Sequence, residues 1–357
     1  MAASPIGWDV ARMVAVRVGG RDPLQDSYHW DALQPDFDEL TAQAEEMVTA
    51  ATGLRSLAGP ARARVVDRAG WVNASLAGFE RLLRPVLSRF DRLGEGPLAP
   101  ITRAATGAQV GALLGFMSTR VLGQYDLLVL DDETPEDQDI VYYVGPNVLA
   151  LEKRFSFPPR EFRLWLALHE VTHRMQFTGV PWLRAHYLGI VEDTLRSAEP
   201  TAKDLVQALK RAADRSLSGH NPLAEGGLPA LLARPEQRLS LERTNALMSL
   251  LEGHGDVTMD RAGADALPSA DRFARVLRQR REQANPLTKL AFQLIGLQAK
   301  LDQYEAGERF IEGVEAAGGP DLFARVWERP EHLPSKDEIE VPSRWVARLA
   351  GTPAMLL

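Results

Sequence analysis

Apolar residues recur every three or four positions through most of the chain, a spacing typical of amphipathic helices. Three long helices rich in alanine, leucine and arginine are predicted before residue 123, at about 36–51, 61–93 and 104–122. A segment rich in glycine and proline, residues 94–100, breaks the pattern after the second of them. The pattern therefore predicts a mainly α-helical protein.

Two short segments have a strand-like pattern instead. Residues 125–130 and 140–144 are runs of apolar and β-branched or aromatic residues, and the acidic stretch 131–139 lies between them. We expect a small antiparallel β-hairpin or sheet here. The hairpin suggests an N-terminal helical region, 1–123, and a second region, 124–357, which together could also form one continuous domain.

A further helix is predicted shortly after the hairpin. Pro158 and Pro159 suit the first turn of a helix, where a missing N–H costs nothing. Gly179, followed by Pro181, suits its end. The apolar positions between these boundaries have helical spacing, so we expect one uninterrupted helix from about 159 to 179.

The centre of this helix carries the sequence His-Glu-Val-Thr-His at 169–173. Residues four apart share one face of a helix, so His169 and His173 can bind one zinc ion. Glu170 lies one position further round, where a general base can take a proton from a water that the metal activates. The stretch therefore predicts a hydrolytic zinc site. The alternative is a buried helix with two hydrogen-bonded histidines.

A catalytic zinc site needs a third protein ligand and an open position for water. The chain has no cysteine, so histidine or carboxylate must supply that ligand. Glu252 is favoured because it lies with His254 and Asp256 in an apolar helical segment, and charged groups rarely enter such segments unless they are paired or bind a metal. An ion pair with a nearby arginine is the other explanation, and Glu192 or His254 could be the ligand instead. His254, Asp256 and Tyr304 are candidates to orient a ligand or to stabilise an oxyanion.

The stretch 168–184 resembles a family of zincin-like hydrolases found in actinobacteria and some other bacteria. Further similar segments extend over nearly the whole chain, at 8–11, 115–126, 144–147, 252–260, 303–307 and 327–334. The resemblance implies a mostly helical, zincin-like fold and a metallohydrolase. Members are often labelled as associated with the biosynthesis of a deazaflavin coenzyme, which implies little about the substrate.

In zincins, an edge strand beside the metal-binding helix binds an extended substrate backbone by strand addition. Tyr142, Tyr143, Val144 and Gly145 are the candidate edge, and a hairpin with no binding role is the alternative. We expect a zinc-dependent hydrolase, with a peptidase favoured. A non-peptide amidase stays open, as does a degenerate zincin that acts as a binding or scaffold protein.

Composition narrows the partners further. The chain has 357 residues, of which 45% are hydrophobic and 25% charged, as in soluble globular proteins. Its net charge of −7 argues against a nucleic-acid partner. It has no apolar window long enough for a membrane span, and its first apolar stretch carries charges that a signal peptide lacks. We therefore expect a cytoplasmic enzyme with Zn²⁺ as cofactor and a peptide or small amide as substrate.

Overall fold

The structure is a computed structural model that describes residues 4, 6–21, 24, 27–87, 99–127, 138–196, 235–282 and 297–351. Its contacts divide the chain into two compact units. The first comprises Met1–Gly179 and Arg261–Phe273, and the second comprises Val180–Asp260 and Ala274–Leu357. The division at residue 123 that the sequence suggested stays a prediction.

The first unit is helical apart from one small sheet. Its helices are α1 (Trp8–Gly19), α2 (Tyr28–Asp31), α3 (Leu33–Thr52), α4 (Arg68–Leu87), α5 (Ala99–Ser118), α6 (Gly145–Phe155) and α7 (Pro159–Gly179). Its strands are β1 (Arg62–Val66), β2 (Gly123–Tyr125) and β3 (Ile140–Val144). The helices predicted at 36–51, 104–122 and 159–179 are confirmed as α3, α5 and α7.

The sheet has the strand order β1-β3-β2. β3 runs parallel to β1 along its whole length, from Ile140 opposite Arg62 to Val144 opposite Val66. It runs antiparallel to β2, so the predicted antiparallel pairing is confirmed. β2 ends at Tyr125, whereas the sequence predicted a strand as far as residue 130. The last part of that prediction, like the acidic stretch up to residue 137, lies outside the described residues.

β3 is the central strand, and this corrects the predicted substrate edge. Tyr142, Tyr143 and Val144 pair with β1 on one side, and the strand also pairs with β2 on the other. Gly145 is already the first residue of α6. These residues therefore form no exposed edge, and that prediction is wrong. All five residues of β3 are buried, as expected for an apolar run without polar alternation.

The first strand, β1, falls where the sequence predicted the start of a helix at residue 61. The segment Arg62–Val66 alternates arginine with alanine or valine, which is the period of two of a strand, but arginine and alanine also have a high helix propensity. The helix begins only at Arg68. Asp67 caps it, because the Asp67 carboxylate accepts a hydrogen bond from the Gly70 N–H at 2.6 Å. The aspartate is the local signal that separates the strand from the helix.

Helices α1 and α5 pack unusually closely because small residues face one another. A β carbon at Gly107 would lie 2.3 Å from the Gly7 carbonyl oxygen, and one at Gly111 would lie 2.3 Å from the carbonyl oxygen of Ala11. Only glycine allows so close an approach of two backbones. Together with α4, the two helices enclose one apolar core of the first unit.

The second unit is also helical within the described residues. Its elements are α8 (Leu183–Arg196), α9 (Pro235–Gly263), α10 (Ala270–Glu282), α11 (Leu297–Ala324), two 3₁₀ turns (Arg325–Trp327 and Pro330–His332), α12 (Lys336–Glu340) and α13 (Pro342–Ala350). The end of α9 and the start of α10, within residues 261–273, belong to the first unit. Its core is a cluster that includes Leu250, Phe310, Val314 and Trp345. No described helix is long and apolar enough to cross a membrane.

Candidate metal centre

Helix α7 forms as its sequence predicts and carries the histidine pair in its interior. The Phe162 N–H bonds the Pro158 carbonyl at 3.0 Å, so the helical pattern begins at the two prolines. Phe162 packs against Phe157 and Phe273 in an aromatic cluster that fixes the N-terminal half of the helix. The helix continues unbroken to Gly179. The motif therefore lies on a rigid element with ten residues before it and six after it in the helix.

The two imidazoles converge on one point. The Nε2 atoms of His169 and His173 lie 3.3 Å apart, and the two rings are perpendicular with centroids 4.7 Å apart. Two ligands that each bind a tetrahedral zinc ion at about 2.0–2.1 Å are about 3.3 Å from one another. The separation of the two nitrogens therefore matches that of two zinc ligands, and the two residues are only half-buried.

The carboxylate of Glu170 is buried beside strand β2. Its residue is 7% exposed, and a β carbon at Gly123 would lie 2.7 Å from the Glu170 Cγ and from its Oε1. Position 123 therefore has to be glycine for the Glu170 side chain to occupy its place. The sequence predicted the base but not the glycine that makes room for it.

Tyr143 lies beneath this region and is held neutral. Burial raises the pKa of Tyr143 above its ordinary value, a hydrogen bond with Thr41 acts against that rise, and the nearby charge of Glu170 adds to it. The hydroxyl groups of Tyr143 and Thr41 are 2.8 Å apart, and the tyrosine ring stacks on Phe37. Tyr143 is thus a core residue of the first unit rather than part of an exposed strand edge.

Gln176 contacts the second histidine from the next turn of α7. The Nδ1 atom of His173 lies 3.1 Å from the Gln176 Oε1, and Gln176 is fully buried. Residues three apart on a helix are neighbours, so this pair was within reach of a sequence argument. We did not single out Gln176 from the sequence.

Two buried arginines anchor α7 in the first unit. Arg174 directly follows His173, is fully buried, and donates hydrogen bonds to Asp139 at 2.6 Å and to Glu45 at 2.9 Å. Arg163 donates two bonds, of 2.8 and 2.9 Å, to the two carboxylate oxygens of Glu152. Charged, bidentate bonds of this kind are strong and directional. They fix the rotation of α7 about its axis, and so the direction in which the histidines point.

The second predicted segment lies in α9, one continuous helix from Pro235 to Gly263. Glu252 is buried, with 4% of the residue exposed, and so is His254 at 5%. The His254 ring lies against the aromatic rings of Phe323 and Trp327, with centroid separations of 5.8 and 5.1 Å. These contacts give His254 a packing role in the second unit.

Glycines beside Glu252 allow another helix to approach, as the sequence suggested. A β carbon at Gly253 would lie 2.4 Å from the carbonyl carbon of Gly307 in α11. A β carbon at Gly307 would lie 1.9 Å from the Ser249 carbonyl oxygen. The two helices cross in backbone contact at this point. This backbone contact fixes the position of Glu252 in α9 relative to α11, within the second unit.

The remaining candidates have less defined places. Asp256 is half-buried in α9, and Glu192, the alternative ligand, is half-buried in α8. Tyr304 belongs to α11, but its side chain lies outside the described residues. These placements do not distinguish a metal ligand from a residue that orients a ligand or stabilises an oxyanion. The roles suggested for these residues and for His254 therefore stay predictions.

Comparison with known proteins is consistent with this geometry. A family model described as a zincin-like metallopeptidase matches residues 6–346. The chain is also similar to a presumed hydrolase with a novel fold from Chloroflexus aurantiacus, known from its crystal structure. The two are 30% identical with a TM-score of 0.71, and the match covers 97% of this chain and 99% of the other. A comparison with curated proteins finds no match.

Proposed function

This chain belongs to the zincin-like metallopeptidase family, and we therefore propose that it is a zinc-dependent hydrolase that cleaves peptide bonds. The family and the similarity to the Chloroflexus protein together support a hydrolase of the zincin type. The observation that carries the finer proposal is the 3.3 Å between the Nε2 atoms of His169 and His173, with Glu170 between them in sequence. That geometry is the one that two ligands of a single zinc ion require.

We propose that His169, His173 and Glu252 hold the metal. Zincins bind a metal, usually zinc. Each of the three residues offers a ligand atom: an imidazole nitrogen from each histidine and a carboxylate oxygen from Glu252. Two neutral imidazoles and one carboxylate are a donor set that catalytic zinc sites use. The burial of Glu252 supports the choice, because buried carboxylates are commonly paired or bound to a metal.

The chemistry of the proposed reaction follows from the side chains around this group. When bound, zinc lowers the pKa of a water towards about 7 and polarises a substrate carbonyl. Glu170 accepts the proton of the attacking water and passes it to the leaving amine. Gly123 leaves room for the Glu170 carboxylate against β2, and the burial of that carboxylate keeps bulk water from competing for its oxygens.

The proposed substrate is an extended peptide bound along β2. Among the described strands β2 is an outer one, and Gly123 places it directly beside Glu170. A peptide that adds to the outer side of a strand aligns its backbone by main-chain hydrogen bonds. A scissile bond held in that register would come next to the general base.

Metal content and hydrolysis of a peptide library, measured on the same preparations, test this proposal. Wild type should bind about one zinc per chain and cleave library peptides, because the histidine pair already has the spacing of zinc ligands. Glu170→Gln should keep the zinc and lose about 10²–10⁴-fold in rate, since the amide cannot accept the proton.

Three outcomes would contradict the proposal in different ways. Wild type that takes up no zinc would leave a degenerate zincin with a binding role. Hydrolysis of small amides without cleavage of any peptide would identify an amidase. A Glu170→Gln variant as fast as wild type would remove Glu170 from the mechanism.

A further inference from the structure

The contact between His173 and Gln176 favours one of the two neutral tautomers of the imidazole. The Gln176 atom that faces the His173 Nδ1, at 3.1 Å, is the amide oxygen Oε1. A carbonyl oxygen only accepts hydrogen bonds, so this contact is a hydrogen bond when Nδ1 carries the proton. In a neutral imidazole with its proton on Nδ1, Nε2 carries a lone pair and no proton.

This tautomer is the one that a metal at the histidine pair requires. The His173 Nε2 is the atom that lies 3.3 Å from the His169 Nε2. A proton on that nitrogen would have to be displaced before a metal could bind, whereas a proton on Nδ1 leaves the lone pair in place. The hydrogen bond to Gln176 therefore prepares His173 as a ligand before any metal arrives.

The surroundings of Gln176 hold its side chain in place. Gln176 is fully buried, one turn beyond His173 on the same face of α7. The helix around it is fixed by Arg174, whose guanidinium is also fully buried and bonded to Glu45 and Asp139. A buried amide on a fixed helix has few alternative rotamers, so the acceptor stays directed at Nδ1.

We propose that Gln176 is a positioning residue that holds His173 in the Nδ1–H tautomer and thereby increases the metal affinity of the site. The inference rests on the proposed function in that it takes the histidine pair as the metal site. The inference goes beyond the proposed function because it assigns the tautomer of His173 in the metal-free protein, which can be measured without a metal.

The first experiment is a long-range ¹H–¹⁵N NMR correlation of the histidine rings in metal-free protein. It is recorded at about pH 8, above the ordinary histidine pKa of about 6.5. His173→Asn identifies the His173 signals by their loss. Wild type should show His173 protonated on Nδ1. In Gln176→Met, which keeps the volume but has no acceptor, a second form protonated on Nε2 should appear. Gln176→Glu, which restores an acceptor, should return to the wild-type tautomer.

The second experiment measures zinc affinity by competition with a chromogenic chelator. Gln176→Met should bind zinc about 10–100-fold more weakly, the usual effect of removing the partner of a ligating histidine. Gln176→Glu should bind it within about threefold of wild type, because an acceptor is again present. Thr178→Val is the matched control, since it removes a buried hydrogen bond of 2.8 Å to the Arg174 carbonyl on the same helix without touching His173.

The two experiments separate the two proposals. A Gln176→Met protein that keeps the Nδ1–H form and the wild-type zinc affinity would overturn the role of Gln176. Weakened binding in Thr178→Val to the same extent would also overturn it, because the effect would then be one of helix stability. Wild type that shows the Nδ1–H form, lost in Gln176→Met, but binds no zinc would support the role of Gln176 in fixing the tautomer and contradict the proposed function.

Discussion

The carboxylate of Glu170 lies directly over the Cα of Gly123, so closely that a single methyl group at position 123 would come within 2.7 Å of it. The two residues are far apart in sequence and belong to different elements, α7 and β2. The proposed general base is therefore positioned by a residue that has no side chain. The contact also ties the base to the strand on which we place the substrate.

Gly123→Ala should lower kcat by about 100-fold without loss of zinc. The added methyl displaces the Glu170 carboxylate, and a displacement of about 1 Å of a catalytic group can cost that much in rate. Steady-state kinetics and metal analysis of the same sample provide the measurement. Gly189→Ala in α8 is the control, because nothing lies within 4 Å of a β carbon there. An unchanged kcat in Gly123→Ala would show that the base does not need this space.

Glu252→Ala should bind zinc much more weakly than wild type, and Glu192→Ala should bind it normally. The reason is that a catalytic zinc site needs three protein ligands, and removal of one leaves only the histidine pair. Mass spectrometry of the metal content after dialysis distinguishes the two variants. The opposite result, with zinc lost in Glu192→Ala and kept in Glu252→Ala, would identify Glu192 as the third ligand.

Arg174→Met should destabilise the protein by about 3–5 kcal/mol, because it leaves the carboxylates of Asp139 and Glu45 without their buried cation. The free energy of unfolding in urea is the quantity to measure. Arg160→Met is the matched control on the same helix, since the ion pair of Arg160 with Glu39 is exposed and its loss should change stability little. Equal effects of the two substitutions would contradict the anchoring role of Arg174.

Glu338 should make the stability of the protein depend on pH in the acidic range. Burial acts to raise the pKa of Glu338, but hydrogen bonds from Arg348 and from the Ser335 backbone and side chain outweigh it and hold that pKa below 4.5. A carboxyl with a lowered pKa in the folded state contributes stability above its unfolded pKa and loses it as the pH falls through the folded one.

The comparison of wild type with Glu338→Gln measures this contribution. Wild type should be the more stable protein at neutral pH, and the difference in unfolding free energy should shrink as the pH falls below 4.5. Glu340→Gln, whose side chain is exposed on the same short helix, is the matched control for the loss of a carboxylate. A difference between wild type and Glu338→Gln that stayed constant with pH would exclude the carboxylate as its source.

Local sequence was sufficient to predict the helix that carries His169, Glu170 and His173. Its boundaries, its apolar spacing and its motif all depend on residues within about twenty positions of one another, and the structure confirms the helix and its boundaries. The family resemblance drawn from the sequence is confirmed as well, as is the mainly helical fold with a small sheet.

Pairing between distant segments could not be predicted in the same way. The place of β3 in the sheet depends on β1, a strand about eighty residues earlier whose arginines and alanine also suit a helix. Without β1, β3 was predicted as an edge. The role of Gly123 could not be predicted either, because its close contact with Glu170 exists only in the folded structure. Gln176 differs from both, since its spacing of three from His173 was visible in the sequence.

The partners of the two arginines that anchor α7 all precede the helix in the chain: Glu45 and Asp139 for Arg174, and Glu152 for Arg163. During synthesis, every one of these partners has therefore been made by the time α7 leaves the ribosome, and domains fold in that order. Glu252 is translated more than seventy residues later. The ion pairs that orient the histidine pair are thus complete in sequence before Phe273, which closes the aromatic cluster around α7, and before Glu252, the proposed third ligand, have been made.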